Sequence, residues 1–239
     1  MSASTVALMP ATMLAAQSQT MKAADVHPPG YPTVVAVESM GKKLEAATNG
    51  RIKFQMFPGS VLGGEKEMIE QAQVGALQIA RISVGAMGPV VDEVNVFNMP
   101  FVFRDEAHMR KVIDGPIGQE LLERMTNGPG SRLVALGWMD AGTRNVYAKK
   151  AVSTPEDLKG MKISTAAPGT SASTNLAKLL ARAGLGLTDI DQVYMGFPQQ
   201  AVALTNKAID ASFTTEPNAS QVIAAGAAIR VMSDDEIFP

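Results

Sequence analysis

The stretch Arg51-Ile-Lys-Phe-Gln-Met-Phe57 alternates polar and apolar side chains, a pattern typical of a half-buried β-strand. Upstream of it, residues 34–47 place apolar side chains at helical spacing and end at Asn49-Gly50, a pair that tolerates the left-handed cap conformation. Downstream, a second helical pattern covers residues 65–74 and a short apolar strand covers residues 77–84. This alternation of helices and strands predicts an α/β layer with parallel strands.

The same alternation continues along the chain and restarts after Thr154-Pro155, where a threonine cap and a first-turn proline mark a helix start. We predict two α/β lobes around a cleft, the first at residues 22–148 and the second at residues 149–225. Residues 226–239 are predicted to form a truncated return strand toward the first lobe. The further predicted helices cover residues 106–113, 117–125, 170–183, 198–207 and 218–225, and the further strands cover residues 132–138, 144–148, 161–165, 192–195, 209–214 and 228–232.

Residues 1–21 contain an apolar stretch at 6–16 with the small residues Ala15 and Ala16 at its end, followed by polar side chains. This pattern is typical of the remnant of a secretory signal peptide, although the basic start is missing. The alternative is a disordered tail. No run approaches the ~20 apolar residues that a membrane span needs, so we expect a secreted, periplasmic protein.

The composition excludes several classes of function. A net charge of −2 gives no basic field that would attract a nucleic-acid partner. With no cysteine and two histidines, the chain has no thiolate site and too few imidazoles for a histidine cage, so we expect neither a metal nor a cofactor. No nucleophile elbow, dinucleotide fingerprint or phosphate loop occurs. We therefore expect a binding protein rather than an enzyme.

Two segments carry polar groups suited to a ligand. Asp140-Ala-Gly-Thr-Arg144 lies at the predicted crossing between the lobes, where an arginine can hold a carboxylate in a bidentate fork. Pro168-Gly-Thr-Ser-Ala-Ser173 leads into a predicted helix, where Thr170, Ser171 and the free N–H groups of the helix N-terminus favour an anion. The alternatives are a surface ion pair of Arg144 with an aspartate and an ordinary helix cap. Together the two segments favour an anionic or zwitterionic ligand.

Motifs spread over residues 22–160 carry a family resemblance. They are Thr48-Asn-Gly-Arg-Ile-Lys53, Phe57-Pro-Gly-Ser-Val-Leu-Gly-Gly-Glu-Lys-Glu67, Gly75-Ala-Leu77, Met99-Pro-Phe-Val-Phe-Arg-Asp105, Gly115-Pro-Ile-Gly-Gln-Glu-Leu121 and Thr154-Pro-Glu-Asp-Leu-Lys-Gly160. In these motifs the chain resembles the solute-binding receptors of tripartite ATP-independent periplasmic (TRAP) transporters, of the C4-dicarboxylate-binding (DctP) type.

That resemblance implies a type II-like periplasmic-binding-protein fold with two lobes around a cleft. It also implies that the protein captures a small organic anion, a carboxylate, and delivers it to the membrane permease subunits of a transporter. By the same resemblance Glu65 and Arg144 face the ligand, and Asp140 and His27 are further candidates.

Residues 161–239 depart from this resemblance. Ser164 stands where the family's ligand-clamping arginine follows Lys-Ile, and the acidic-proline pair Glu216-Pro217 comes later than the family pattern places it. Leu179-Leu-Ala-Arg-Ala-Gly-Leu185 and Thr188-Asp-Ile190 resemble instead the binding proteins of sulfonate, nitrate and taurine-type ABC importers. Glu216 joins the candidate ligand-binding residues.

Three functions therefore stay open at this point. They are a TRAP-type receptor for an organic anion, an ABC-importer binding protein for a sulfonate-like or zwitterionic ligand, and a truncated or chimeric fragment that binds nothing. Members of the resembling family carry a further segment of chain beyond the return crossing, so we expect the fold to be incomplete at its C-terminus. We expect the protein to act as a monomer.

Overall fold

The computed structural model describes residues 18–99, 102–142 and 145–233. These residues form helices around two separate β-sheets, one of three strands and one of five, which confirms the predicted α/β class. We use lobe I for the elements around the three-stranded sheet and lobe II for those around the five-stranded sheet. None of the helices in the described ranges is long and apolar enough to cross a membrane.

The sheet of lobe I is entirely parallel, with the first strand in the centre. Each connection between its strands passes through a helix, as parallel pairing requires. Its strands are β1 (Gln19–Ala24), β2 (Ile52–Phe57) and β3 (Ile79–Ala80), and the connecting helices are α1 (Pro32–Ala47) and α2 (Glu65–Gln73).

A group of short helices covers the rest of lobe I and encloses an apolar cluster around Val94, Leu121 and Met125. Trp138 packs on this cluster. Its indole N–H donates to the carbonyl oxygen of Gly118 at 3.1 Å, and its ring lies edge-on to Phe97 with the centroids 5.2 Å apart. The helices are α3 (Val84–Met87), a 3-10 helix (Asp92–Asn98), α4 (Glu106–Ile113) and α5 (Pro116–Asn127).

The sheet of lobe II is mixed, with the strand order β6-β5-β7-β4-β8. The first three of these strands are parallel to one another, and β4 is antiparallel to both β7 and β8. The strands are β4 (Asn145–Ala148), β5 (Lys162–Thr165), β6 (Asp191–Tyr194), β7 (Ala211–Thr214) and β8 (Ile229–Ser233). The helices are α6 (Ser171–Ala181), α7 (Phe197–Thr205) and α8 (Asn218–Ala224), with 3-10 helices at Pro155–Leu158 and Leu187–Asp189.

The two faces of the lobe II sheet differ in chemistry. Residues that pair across strands share a face, and one face carries Val146, Ile163 and Phe213, which pack with Leu176 and Leu180 of α6. The opposite face carries the polar side chains of alternate residues and is covered by α7 and α8.

Most predicted elements are present, and the helix start at Thr154 is confirmed in detail. The Asp157 carboxylate accepts hydrogen bonds from the backbone N–H groups of Ser153 and Thr154, both at 2.9 Å. The end of α1 is confirmed as well, because Asn49 and Gly50 adopt left-handed backbone conformations with φ of 49° and 73°.

The predicted strand at residues 132–138 is wrong. Its alternation is real, since Leu133 and Ala135 pack inward while Val134 and Leu136 are exposed. Within the described ranges, however, no neighbouring strand pairs with it, and the N–H of Ala135 donates instead to the hydroxyl of Thr126 at 3.0 Å. Alternation alone therefore does not make a strand here.

Three other boundaries differ from expectation. The predicted strand at 77–84 is shorter, because β3 ends at Ala80 and α3 begins at Val84. The predicted tail at residues 1–21 overlaps β1, which begins at Gln19; residues 1–17 lie outside the described ranges. Residues 229–233 form β8 at the edge of the lobe II sheet.

Candidate functional site

The carboxyl ends of the parallel strands in the two lobes face each other. The chain leaves β1 at Ala24 and reaches His27, and it leaves β6 at Tyr194 and reaches Phe197. The rings of His27 and Phe197 stack with their centroids 5.0 Å apart, and Phe197 packs into an apolar cluster of lobe I. Ligands of α/β proteins bind outside the carboxyl ends of parallel strands, so this junction is the candidate site.

A second junction joins the lobes beside the first. Helix α3 of lobe I lies against the loop between β5 and α6, where Gly85 faces the carbonyl oxygen of Gly169. The side-chain amide of Asn98 also donates to that carbonyl oxygen. The two lobes are therefore in contact at two places near these strand ends.

A buried ion pair lies at the lobe I edge of this junction. Glu65 begins α2 and Arg81 follows β3 directly, and their side chains meet with Oε1 and Nη1 3.2 Å apart. The same Glu65 oxygen accepts the backbone N–H of Ser83 at 2.6 Å, and Nη1 of Arg81 also donates to the Ser83 hydroxyl at 3.2 Å. Only 3% of Glu65 and 9% of Arg81 is exposed.

Part of this pair has no hydrogen-bond partner among the described residues. Oε2 of Glu65 is buried without a hydrogen bond among the described residues. Both hydrogen bonds of Arg81 within the described ranges are donated by Nη1, and neither uses Nε or Nη2. A carboxylate acceptor and two guanidinium donors are thus available to a ligand that carries both hydroxyl groups and negative charge.

Asp25 and His27 form a second buried network behind the ion pair. Oδ1 of Asp25 lies 2.7 Å from Nδ1 of His27, and its Oδ2 accepts the hydroxyl of Thr33 at 2.7 Å. Burial raises the pKa of Asp25, but the hydrogen bonds from His27 and the electrostatic attraction of His27 and Arg81 outweigh it and hold the pKa below its usual value. The charged carboxylate therefore fixes the His27 ring in place.

The His27 ring is enclosed by aromatic groups from both lobes. The ring of Tyr31 stacks on it at 4.1 Å with the planes 12° apart, and Phe197 stacks at 5.0 Å. The hydroxyl of Tyr31 donates to the carbonyl oxygen of Ala141, in the segment that leads into lobe II. His27 is completely buried, so it supports the site from beneath.

The other predicted site residues have structural partners. Asp140 accepts the N–H of Gly142 at 2.8 Å in a turn and lies 3.5 Å from Arg110. Thr170 precedes α6, and its hydroxyl donates to the Ala167 carbonyl oxygen at 2.9 Å, whereas Ser171 is the first residue of that helix.

Glu216 is exposed and accepts the N–H of Ser220 at 3.1 Å, in the first turn of α8. Arg144 lies outside the described residues. Its neighbour in the chain, Asn145, begins β4 and pairs with Thr214 at the end of β7. Glu65 and His27 are thus the predicted residues that the structure brings together.

Sequence reasoning missed Arg81. Its signal was a single charged side chain within the apolar stretch of residues 77–84, where a buried strand was predicted. A charged side chain such as Arg81 is rarely buried unless it is paired. The buried strand predicted here should therefore have led us to expect an acidic partner for it. No cluster of metal-ligating side chains occurs in the described ranges.

The fold has two lobes whose parallel strand ends meet at this site, and comparison with known proteins places the chain in a family. The family described as bacterial extracellular solute-binding protein, family 7 (DctP), matches residues 23–221. The chain therefore belongs to this family of solute-binding proteins. Because the match runs far into residues 161–239, the resemblance of that part to ABC-importer binding proteins is not supported.

Solved structures of similar proteins support the same assignment. A TRAP periplasmic solute-binding protein from Pseudomonas putida F1 with bound D-glucuronate is 46% identical, with a TM-score of 0.71 over 90% of this chain and 68% of that one. A counterpart from Citrobacter koseri with bound D-glucuronate is 40% identical, with a TM-score of 0.72 over 90% of this chain and 70% of that one.

Among curated relatives, a solute-binding protein of Verminephrobacter eiseniae is 43% identical over 55% of this chain and 38% of its own length. One from Chromohalobacter salexigens is 34% identical over 62% of this chain and 44% of its own length. The chain spans about half or less of the length of these relatives.

Proposed function

We propose that this chain is the ligand-capturing part of a TRAP-type receptor in the periplasm. It binds a small organic acid between its lobes as a monomer, hands it to membrane permease subunits and catalyses no reaction. Family membership and the bound uronates of the similar structures support this proposal. It extends to this chain what is known of longer relatives.

The observation that carries the proposal is the buried pair of Glu65 and Arg81. It lies at the strand edge that faces lobe II, with Oε2 of Glu65 and two guanidinium nitrogens of Arg81 available to a ligand. Burying such a pair costs several kcal/mol of desolvation per ion. A ligand that completes its hydrogen bonds offsets part of that cost, which gives the pair a function in binding.

The burial of His27 supports the absence of catalysis. Asp25 and His27 resemble two members of a hydrolase triad, in which the histidine must reach a nucleophile and a substrate. Here the ring is completely buried between Tyr31 and Phe197, and Asp25 fixes its orientation. Incubation with a bound acid should yield no product above background. Turnover of that acid would contradict the proposal.

The binding proposal is tested by titration calorimetry with a matched pair of sugars. D-Glucuronate carries the carboxylate, and D-glucose has the same ring without it. We expect D-glucuronate to bind with a saturable isotherm and D-glucose to give none, because a charged hydrogen bond to arginine is about twice as strong as a neutral one. Equal binding of both sugars would contradict a receptor for organic acids.

A further inference from the structure

A groove on the surface of lobe I lies between α4 and the start of α5, away from the junction between the lobes. Its volume is about 290 Å³, just below the roughly 300 Å³ at which ligand pockets in proteins begin. None of its described lining residues belongs to the candidate binding site. We call it the basic groove, and its lining residues are Arg104, His108, Lys111, Val112, Pro116 and Ile117.

Helix spacing and two close backbone contacts form the basic groove. Arg104 precedes α4, and His108 and Lys111 follow at steps of four and three residues, which are neighbours on a helix surface. Two glycines let α5 begin close to the end of α4. A Cβ atom at Gly115 would lie 2.6 Å from the carbonyl oxygen of Lys111, and one at Gly118 would overlap the backbone of the last residue of α4. The groove is therefore bounded by two helices in direct backbone contact.

The three polar side chains of the basic groove are all hydrogen-bond donors. The backbone N–H of Arg104 donates to Nδ1 of His108 at 3.2 Å, so the proton of that ring lies on Nε2, which is then a donor. Among the described residues, the Arg104 guanidinium, the Lys111 ammonium and Nε2 of His108 have no hydrogen-bond or ion-pair partner. Since the other lining side chains are apolar, the groove offers donors to a partner and no side-chain acceptor.

The acidic side chains next to the basic groove do not neutralise it. Glu106 and Asp140 both pair with Arg110, at 2.9 Å and 3.5 Å. The Asp105 carboxylate caps α4 and accepts a backbone N–H of its first turn at 2.6 Å. Asp114 ends α4 and is not a lining residue. In a chain whose net charge is −2, the groove is thus a local site of positive charge.

The rest of the basic groove is apolar and open to solvent. Ile117 is 55% exposed, and Pro116 before it is exposed as well. A small free anion would leave Ile117 uncovered, and exposed ion pairs alone contribute only about 0–1 kcal/mol each. Protein interfaces combine apolar contacts with arginine and a polar rim. A partner that carries carboxylates beside an apolar side chain therefore matches both parts of the groove.

We propose that the basic groove docks an acidic segment of a protein partner, with the carboxylates on Arg104, His108 and Lys111 and an apolar side chain on Ile117. The inference goes beyond the proposed function, which places the organic acid between the lobes and assigns no partner to this surface. Because exposed charges make these contacts, salt screens them. Docking should therefore weaken as the ionic strength rises.

Docking is tested by nuclear magnetic resonance titration of the whole isotope-labelled chain with two peptides whose ends are blocked. One peptide has the sequence Leu-Glu-Asp-Leu-Glu, and the other carries Gln and Asn in place of its acids, which keeps the shape and removes the charge. We expect the acidic peptide to shift the signals of α4 and of the start of α5 in a saturable way, and the amide peptide to leave them unchanged. The affinity of the acidic peptide should fall several-fold from low salt to physiological ionic strength, where the Debye length is about 8 Å.

Two variants locate the contact, and each has a matched control in lobe II. Arg104→Gln combined with Lys111→Gln should weaken the acidic peptide by about 2- to 25-fold, the effect of two exposed ion pairs. Ile117→Ser should weaken it by roughly threefold, because apolar contact area is lost. Lys178→Gln on the exposed side of α6 and Val202→Ser, where the valine is 62% exposed on α7, should not change the affinity. All these variants should bind D-glucuronate as wild type does.

The inference is overturned if both peptides shift the same signals equally, or if the combined variant keeps the wild-type affinity for the acidic peptide. Free glutamate that binds as tightly as the acidic peptide would make the groove a small-anion site instead. A dimer in sedimentation velocity that the combined variant dissociates would make a second copy of the chain the occupant. None of these outcomes affects the proposed function, which the D-glucuronate titration tests separately.

Discussion

Gly85 of α3 and Gly169 of the loop before α6 touch across the two lobes so closely that no side chain fits between them. A Cβ atom added at Gly85 would lie 2.2 Å from the carbonyl oxygen of Gly169 and 2.9 Å from Cα of Thr170. Both obstacles are backbone atoms, which cannot rotate away as a flexible side chain could. The described arrangement of the lobes therefore depends on the absence of a side chain at this position.

Gly85→Ala should hold the lobes apart. Because the added methyl group meets backbone of lobe II, we expect the closed arrangement to be depopulated and the ligand affinity to fall roughly tenfold or more. Small-angle scattering in saturating ligand should give a larger radius of gyration than for wild type. Gly137→Ala is the matched control, since a Cβ there meets nothing within 4 Å. A Gly85→Ala variant with wild-type affinity and radius would contradict the role of this contact.

Arg81→Ala should weaken binding of the organic acid by about 2 to 5 kcal/mol, because the ligand carboxylate loses its charged partner in a desolvated site. Arg81→Lys should restore part of the affinity, since lysine keeps the charge but lacks the planar fork. Calorimetry with D-glucuronate measures both. Arg124→Ala serves as the control, because Arg124 pairs with Glu93 and Glu120 on the surface of lobe I. Unchanged affinity in Arg81→Ala would place the carboxylate elsewhere.

Arg144→Ala tests the arginine that the sequence itself suggested. If Arg144 contacts the acid as the family resemblance implies, its removal should also weaken binding by about 2 to 5 kcal/mol. Thr170→Ala and Ser171→Ala should have less effect, because the Thr170 hydroxyl already donates to the Ala167 carbonyl oxygen. Calorimetry decides between the two sites. If Arg144→Ala keeps the wild-type affinity while Thr170→Ala and Ser171→Ala lose affinity, the anion binds at the start of α6 instead.

Asp25→Asn should destabilise the protein in a pH-dependent way. The pKa of Asp25 is held below its ordinary value of 3.8, so its stabilising effect is complete above about pH 4 and is lost as the pH falls through the lower, folded-state pKa. Breaking such a buried pair costs about 3 to 5 kcal/mol near neutral pH. Urea unfolding of both proteins should show a gap in the free energy of unfolding near pH 7 that narrows as the pH falls below the ordinary value of 3.8.

The control for this pH dependence is Asp191→Asn, an exposed residue paired with Lys162 at 3.6 Å, which should have little effect at any pH. A gap between wild type and Asp25→Asn that stays constant on acidification would show that the charge of Asp25 is not what stabilises the His27 network.

Local patterns were sufficient to predict most of the fold. The cap at Thr154 and the apolar spacing of α1 are local signals that do not depend on distant residues. β1 was missed because Gln19, Thr20 and Lys22 are polar, and the strand owes its central position to pairing with β2 and β3. The strand prediction at 132–138 was wrong for the opposite reason: the side chains alternate, but no neighbouring strand pairs with this segment in the described residues.

The candidate site was harder to predict than the fold. Glu65 and His27 were named through resemblance. The pairing of Glu65 with Arg81 depends on how the end of β3 meets the start of α2, whereas Asp25 is a local partner, two residues before His27. Sequence analysis noted Ser164 as a missing arginine. It could not show that Oγ1 of Thr214 and Nδ2 of Asn218 also lack hydrogen bonds among the described residues, because this follows from the register of β5 with β7 and from the start of α8.

The single tryptophan of the chain, Trp138, packs on the apolar cluster of lobe I, beside Phe97. Its fluorescence under tryptophan-selective excitation therefore reports on lobe I alone. The tyrosines Tyr147 and Tyr194 lie in lobe II, in β4 and β6. Tryptophan fluorescence compared with far-ultraviolet circular dichroism would show whether the two lobes melt together. Coincident curves would mean that the contacts between the lobes, from Phe197 to Gly169, couple them into one cooperative unit.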